Sequence, residues 1–400
     1  MTDAAARACG CDGARAAFRV GAARPPETRG GPVTEHVSHL VVGGGAMGLA
    51  TTWQLARRGH TVLALERFER GHELGASHGA TRNFNNAYAE EHYLDLLGLA
   101  RAEWDELARV TGEPLLRLHG LVTHGDDARV AETHAALTAR GERATVLDPA
   151  EASRRWSGMR FAGDVLFTPD AGVVRAEAAL AALERDARVR GADLRFGHAV
   201  VALEEHADHV SAAVVADGSR YDITADVVVV TAGAWTSKVL PGFPLPRLTV
   251  TEESPAHFAA RGAAQAWPSF NHLLPRPSYP GNVYGMPTPG EGVKVGFHHV
   301  GPVVDPDRRT LRPVPELAAR LRDYVDEWMP GLDADSAAPI SCTYTSTDSE
   351  DFVLDRRGRV VVGAGFSGHG FKFTPAVGAV LADLATDDRA RAAEAFRLPD

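Results

Sequence analysis

Three glycines and one acid are the residues whose spacing most directly implies chemistry. Gly43, Gly45 and Gly48 form a G-x-G-x-x-G turn, and Glu66 follows twenty-three residues after the first of them. The first glycine lets a chain turn sharply out of a strand. The second lets backbone approach a pyrophosphate, and the third lets a helix pack close to a sheet. A helix beginning near Ala46 directs free N–H groups and the positive end of its dipole at the phosphates. An acid at the place of Glu66 suits a ribose hydroxyl and disfavours a 2′-phosphate, which argues against NADP. The motif alone matches many glycine-rich turns. Its weight comes from the apolar strands on either side, residues 40–42 and 62–65.

The remaining candidates are single residues, each with a bland alternative. Cys342 is the one cysteine outside the first 36 residues. Its thiolate would be a nucleophile, whereas a free cysteine is usually a buried structural thiol. Lys372 lies between Phe371 and Phe373. That setting partly desolvates an ammonium and suits it to an anion, although a lysine in isolation is a solvated charge. Lys294 alternates with Val293 and Val295, a pattern that a solvent-facing lysine fits equally well. His298 stands at even spacing from it and therefore on the same sheet face. Gly365, Ser367, Gly368 and Gly370 crowd into one turn. Its backbone N–H groups could stabilise negative charge, or it could merely join a strand to a helix. His78 and Arg82 read as ligand contacts or as a loop-stabilising set of hydrogen bonds. Cys9-x-Cys11 is the single pair read at metal-ligand spacing, within the first 36 residues, and no metal is expected.

Three strand-to-glycine turns must position these groups: residues 40–45, 226–235 and 360–370. Ligands of an open parallel sheet bind beyond the carboxyl ends of its strands, so one extended dinucleotide can touch all three. The interrupted arrangement favours FAD over NAD. Helical spacing predicts helices near residues 90–110, 128–140, 173–190, 317–328 and 375–384, with a loop over 67–86. Strand patterns cover 118–123, 193–196, 198–204, 211–215, 248–258 and 283–299. The expected fold class is α/β in an α+β two-part form. A Rossmann-like FAD-binding domain (37–110, 169–240 and 340–390) would be interleaved with an antiparallel-sheet substrate domain (111–168 and 241–339).

A chain of 400 residues with 44% hydrophobic content can bury a large core. A net charge of −10 leaves no electrostatic footprint for nucleic acid or an anionic membrane. No apolar run approaches the ~20 residues a membrane helix needs. Residues 1–36 are rich in Ala, Gly, Arg and Pro without periodicity and are expected to be a disordered leader. A single thiol beyond them fits the reducing cytoplasm.

The sequence resembles the monomeric sarcosine oxidase and N-methyltryptophan oxidase group of the D-amino-acid oxidase (DAO) flavoprotein superfamily over essentially all of residues 37–385. The likeness is carried by the opening fingerprint and by Ser77-His78-Gly79-Ala80-Thr81-Arg82. It is carried equally by Gly292-Val293-Lys294-Val295-Gly296-Phe297-His298, Cys342-Thr343-Tyr344-Thr345 and Gly365-Phe366-Ser367-Gly368-His369-Gly370-Phe371-Lys372. The resemblance implies FAD held by Gly43, Gly45, Gly48 and Glu66, by Ser77, His78, Thr81 and Arg82, and by Gly365, Gly368 and Gly370. Cys342 would carry the flavin through a thioether to its 8α carbon. Lys372 would bind the substrate carboxylate, Lys294 would activate oxygen, and His298 and Tyr344 would line the substrate pocket. Arg82 would set a fixed charge at the flavin ring. Where the family has a second carboxylate-binding arginine, this sequence has Asn85, flanked by Asn83 and Asn86, and Arg276 is one candidate substitute. The implied activity converts a secondary amine or N-methyl amino acid to an imine and O2 to hydrogen peroxide. The implied protein is a monomer whose partners are a small-molecule amine and O2, with no nucleic acid and no membrane. A related dehydrogenase using another electron acceptor and a non-catalytic FAD-binding subunit stay open as alternatives.

Overall fold

The computed structural model describes residues 35–262, 267–274 and 278–399. The expected leader, Cys9 and Cys11 among it, lies outside them except for its last two residues, and so does Arg276. Five parallel strands form the frame, in the order Asp193–Arg195, Val62–Leu65, Glu35–Val42, Ser219–Val230 and Val360–Ala364. Central strands covered on both faces read as continuous apolar runs, and Val62–Leu65, residues 40–42 and 227–230 and Val360–Ala364 do. Alternate residues divide between two cores. Val41, Val229 and Val361 face the helices Ala46–Arg57, Ala176–Val189 and Thr374–Thr386, while Leu40, Val42, Val228 and Val230 face the other side. Ser219–Val230 pairs through its first half with the antiparallel ribbon Ala199–Glu205 and Val210–Ala216. Val353–Arg357 closes the edge beside Val360–Ala364.

A second eight-stranded sheet draws all its strands from residues 121–168 and 256–339. Its centre is the hairpin Val283–Thr288 and Gly292–Phe297, and its one parallel pairing joins Ser269–His272 to Leu121–His124. Phe258, Phe270 and Tyr324 anchor the core between this sheet and the helix Pro315–Trp328. Two small sheets tie the large ones together. Thr81–Phe84 and Leu116–Arg117 flank Gly172–Arg175, and Thr249–Glu253 pairs with Cys342–Ser346.

Several local expectations are corrected. The first strand begins at Glu35, inside the stretch expected as leader and ahead of the apolar run 40–42. Arg195 grips both Glu35 oxygens at 2.7 Å and His36 Nδ1 meets Thr224 Oγ1 at 3.0 Å, partners that an apolar pattern does not reveal. Thr81–Phe84 is a strand inside the expected loop, because it finds Gly172–Arg175 far along the chain. Those residues take the first turn of the helix expected over 173–190, which starts at Ala176. The run 248–258 splits at Ser254-Pro255 into Thr249–Glu253 and Ala256–Phe258, which enter different sheets.

Candidate active site

The strand Glu35–Val42 hands the chain to Gly43 at φ +107°, where a side chain would be strained. The helix then passes so close that a Cβ on Gly48 would sit 1.7 Å from the Gly43 carbonyl oxygen. Helix Ala46–Arg57 receives no cap from its own Gly45. The Ser77 hydroxyl, brought in by the following loop, accepts the Ala46 N–H at 3.0 Å. Glu66, at the end of Val62–Leu65, accepts the Gly44 N–H at 2.7 Å through one oxygen and the Phe68 N–H at 3.0 Å through the other. Each oxygen keeps a lone pair for a further donor.

These groups open into one cavity of about 2000 Å3. Drug-sized pockets hold ~300–1,000 Å3, so the space accommodates a dinucleotide and a substrate together. Among the described residues, every sequence-predicted site residue lines it except Ser367 and Gly48, the latter supporting the turn from beneath. Residues of all three strand-to-glycine turns meet there. The glycine cradle that a Cβ would fill, the helix N-terminus and the paired acid fit the pyrophosphate and ribose of FAD.

Arg82 binds the loop it belongs to. Its guanidinium donates to the carbonyls of Thr81 and Ala76, each at 2.9 Å, and to that of His78, and it lies 5.6 Å from the Phe371 ring centre. His78 Nδ1 meets the Gly75 carbonyl at 2.8 Å, and burial pushes the His78 pKa down. Thr81 joins this loop to the central hairpin through a 2.7 Å bond to Thr288. Lys294, only 4% exposed, points back at the Thr81 carbonyl from 3.5 Å. Burial, reinforced by the Arg82 charge, lowers its pKa to about 8. The lysine is therefore an interior cation, not the solvent-facing one its strand pattern allowed. Cys342, half-buried and free, begins the strand that pairs with Thr249–Glu253.

On the substrate side, Tyr344 packs so closely over Gly368, at φ +74°, that a Cβ there would lie 2.3 Å from the ring. Its hydroxyl meets His298 Nδ1 at 3.2 Å. The strand ends at Phe297, so the even spacing of His298 from Lys294 stops mattering: Lys294 turns to Thr81 and His298 to Tyr344. Burial depresses the His298 pKa to about 3. Lys372, 3% exposed, donates to the Tyr88 hydroxyl at 2.8 Å and to the His369 carbonyl at 2.6 Å. Burial lowers its pKa to about 7. Asn85 lines the same cavity, and its Oδ1 accepts the Ala87 N–H at 2.8 Å, leaving its Nδ2 as a donor.

Sequence reasoning missed three groups here. Tyr88 bridges Lys372 and His369 Nδ1, the latter at 3.1 Å. His299 and Glu350 pair at 3.1 Å, and His299 Nε2 reaches the Ser367 carbonyl at 2.9 Å. A carbonyl and a carboxylate both accept, so His299 donates from both nitrogens and is an imidazolium. Burial opposes that charge, but the bonds to Glu350 and Ser367 outweigh it and raise the pKa. His298, His299 and Glu350 also bring three possible metal-ligand atoms within 4.8 Å of one another, a grouping only the adjacent histidines foreshadowed. Among the described residues, five non-glycine residues have positive φ, and three of them (His299, Glu350 and Ser367) belong to this chain of bonds. Strain persists where surrounding structure over-determines it, commonly at ligand clamps.

Comparison with known proteins agrees with this geometry. The family model described as "DAO: FAD dependent oxidoreductase" matches residues 39–384. Monomeric sarcosine oxidase of Bacillus sp. (strain B-0618) is 33% identical over 88% of this chain and 93% of its own. N-methyl-L-tryptophan oxidase of Yersinia pestis (strain Pestoides F) is 29% identical over 87% and 94%. Among solved structures, the open form of NikD, described as an unusual amino acid oxidase essential for nikkomycin biosynthesis, superposes with a TM-score of 0.80. It is 28% identical and covers 89% of this chain and 95% of its own. The chain belongs to the DAO family of FAD-dependent oxidoreductases.

Proposed function

We propose that this chain oxidises a secondary or N-methyl amino acid to an imine, with O2 reduced to hydrogen peroxide. The carrying observation is Lys372, an interior lysine that opens on the cofactor-sized cavity and has no carboxylate partner among the described residues. A group so placed suits an anion brought by the substrate. FAD, when bound, supplies the hydride acceptor and passes the electrons on to O2. The protein's own residues bind and orient. Gly43, Gly45, Gly48 and Glu66 hold the dinucleotide, with Ser77, His78, Thr81 and Arg82 shaping the loop over it. Gly365, Gly368 and Gly370 leave backbone N–H groups free to meet negative charge. Lys372 takes the substrate carboxylate, with the Asn85 amide as a neutral donor nearby. His298 and Tyr344 form a neutral, aromatic wall for the amine, and Lys294 supplies an interior cation able to stabilise an anion formed from O2.

Three finer readings accompany this one. Cys342 is the residue we expect to tether the flavin, since it is free and opens on the same cavity. The chain divides into an FAD-binding part (37–110, 169–240 and 340–390) and a substrate part (111–168 and 241–339). It works as a cytoplasmic monomer, for which a lone free thiol among the described residues and the monomeric sarcosine oxidases are the support. No helix among the described residues is long and apolar enough to cross a membrane. The test is a screen of N-methyl and cyclic amino acids for peroxide release by the flavin-loaded protein. Turnover with any of them supports the oxidase. Flavin loss of colour under substrate with no peroxide in air would favour a dehydrogenase, and no reaction with any amine would overturn the reading.

A further inference from the structure

Lys372 is enclosed by groups that serve either of its protonation states. Its Nζ lies 5.2 Å and 4.9 Å from the Tyr88 and Phe373 ring centres, and its own carbonyl accepts the Trp104 indole N–H at 2.8 Å. The titratable groups gathered around it are Tyr88 and Tyr93, whose ring centres are 5.2 Å apart, His369, which Tyr88 bonds, and His298. Glu90 acts on Tyr88 only from a distance, and Tyr88 is held protonated by burial. His369 Nε2 faces the Glu350 carbonyl at 3.3 Å, so that nitrogen carries the hydrogen and Nδ1 accepts from Tyr88. The Tyr88 oxygen then accepts from a Lys372 ammonium. Beside a neutral amine, the same hydroxyl can turn its hydrogen to the amine lone pair. The His369 carbonyl accepts from either form.

A positive charge buried without a counter-ion is costly, and the cost ends when a carboxylate arrives. We propose that Lys372 waits as the neutral amine and becomes the ammonium as the substrate carboxylate binds, so that the proton shed by the substrate's own ammonium stays in the site. Tyr88 and His369 are positioning residues for both states. The balance is closed. The substrate loses one proton from nitrogen and regains the lone pair that hydride loss requires, Lys372 gains one proton, and none enters the solvent. This inference rests on Lys372 being the partner of the substrate carboxylate.

Methoxyacetate has that carboxylate and no ionisable nitrogen, which makes it the probe. Its binding to the flavin-loaded protein is followed by calorimetry in buffers of contrasting ionisation enthalpy. Proton uptake is expected to rise from about 0.1 at pH 6 to about one per ligand at pH 8.5. Lys372→Arg, always charged, should bind with no uptake. Tyr88→Phe removes an acceptor from the ammonium and should move the half-uptake point to lower pH. Saturable binding without proton uptake at pH 8.5 overturns this inference alone. Failure of methoxyacetate to bind counts against the carboxylate reading beneath it. An unmoved half-uptake point in Tyr88→Phe removes Tyr88 from the device.

Discussion

The interior lysine gives the most quantitative test, because its replacement should make the protein more stable while abolishing its work. Lowering Lys372 from 10.5 to about 7 by burial corresponds to a folded-state cost of about 5 kcal/mol on the ammonium. Methionine fills a similar volume without charge. The Lys372→Met variant forfeits hydrogen bonds to Tyr88 and to the His369 carbonyl, and their loss offsets about 1–3 kcal/mol of the gain. The net expectation at pH 6 is stabilisation by about 2–4 kcal/mol, a Tm rise of roughly 2–5 °C. The sign follows from the depressed pKa. Below about 7 the amine is protonated in both folded and unfolded chains and the folded state carries the full cost. As pH rises through 7 toward 10.5 the folded amine is already neutral, and the advantage of methionine shrinks. Scanning calorimetry of both proteins at matched flavin content, across pH 6 to 9.5, measures it. A variant less stable than the parent at pH 6, or a difference that does not change with pH, refutes the reasoning.

Four further outcomes are expected. Gly48→Ala drives a methyl into the Gly43 carbonyl and should yield protein with little bound flavin, read from the ratio of 450 nm to 280 nm absorbance. Cys342→Ser should release all its flavin on acid precipitation, whereas the parent pellet stays yellow and yields a flavin-modified peptide containing Cys342. Lys294→Met should slow the reaction of the reduced protein with O2 on the order of a hundredfold. In the parent, the same stopped-flow rate should fall as pH rises through about 8, where Lys294 loses its proton.

The centre of the parallel frame was legible because residues 40–42, 62–65, 227–230 and 360–364 are buried and so are written as uninterrupted apolar runs. The split of 248–258 between two sheets was not, since both halves alternate acceptably and only their partners differ. The site shows the same division. Cys342, Lys294 and Lys372 could be named from type and setting, but each carried an equally ordinary alternative. Nothing around Tyr88 marks it as the bridge between a lysine 284 residues away and His369.

Residue type and spacing alone determined the glycine turn, because Gly43 and Gly48 act through backbone geometry and Glu66 reaches the Gly44 N–H within a single local unit. Tertiary structure decided which charges are interior. Desolvation depends on what the rest of the chain lays over a side chain, so Lys294 and Lys372 became buried amines with no carboxylate partner among the described residues, and His299 a doubly bonded cation, only once distant segments closed around them.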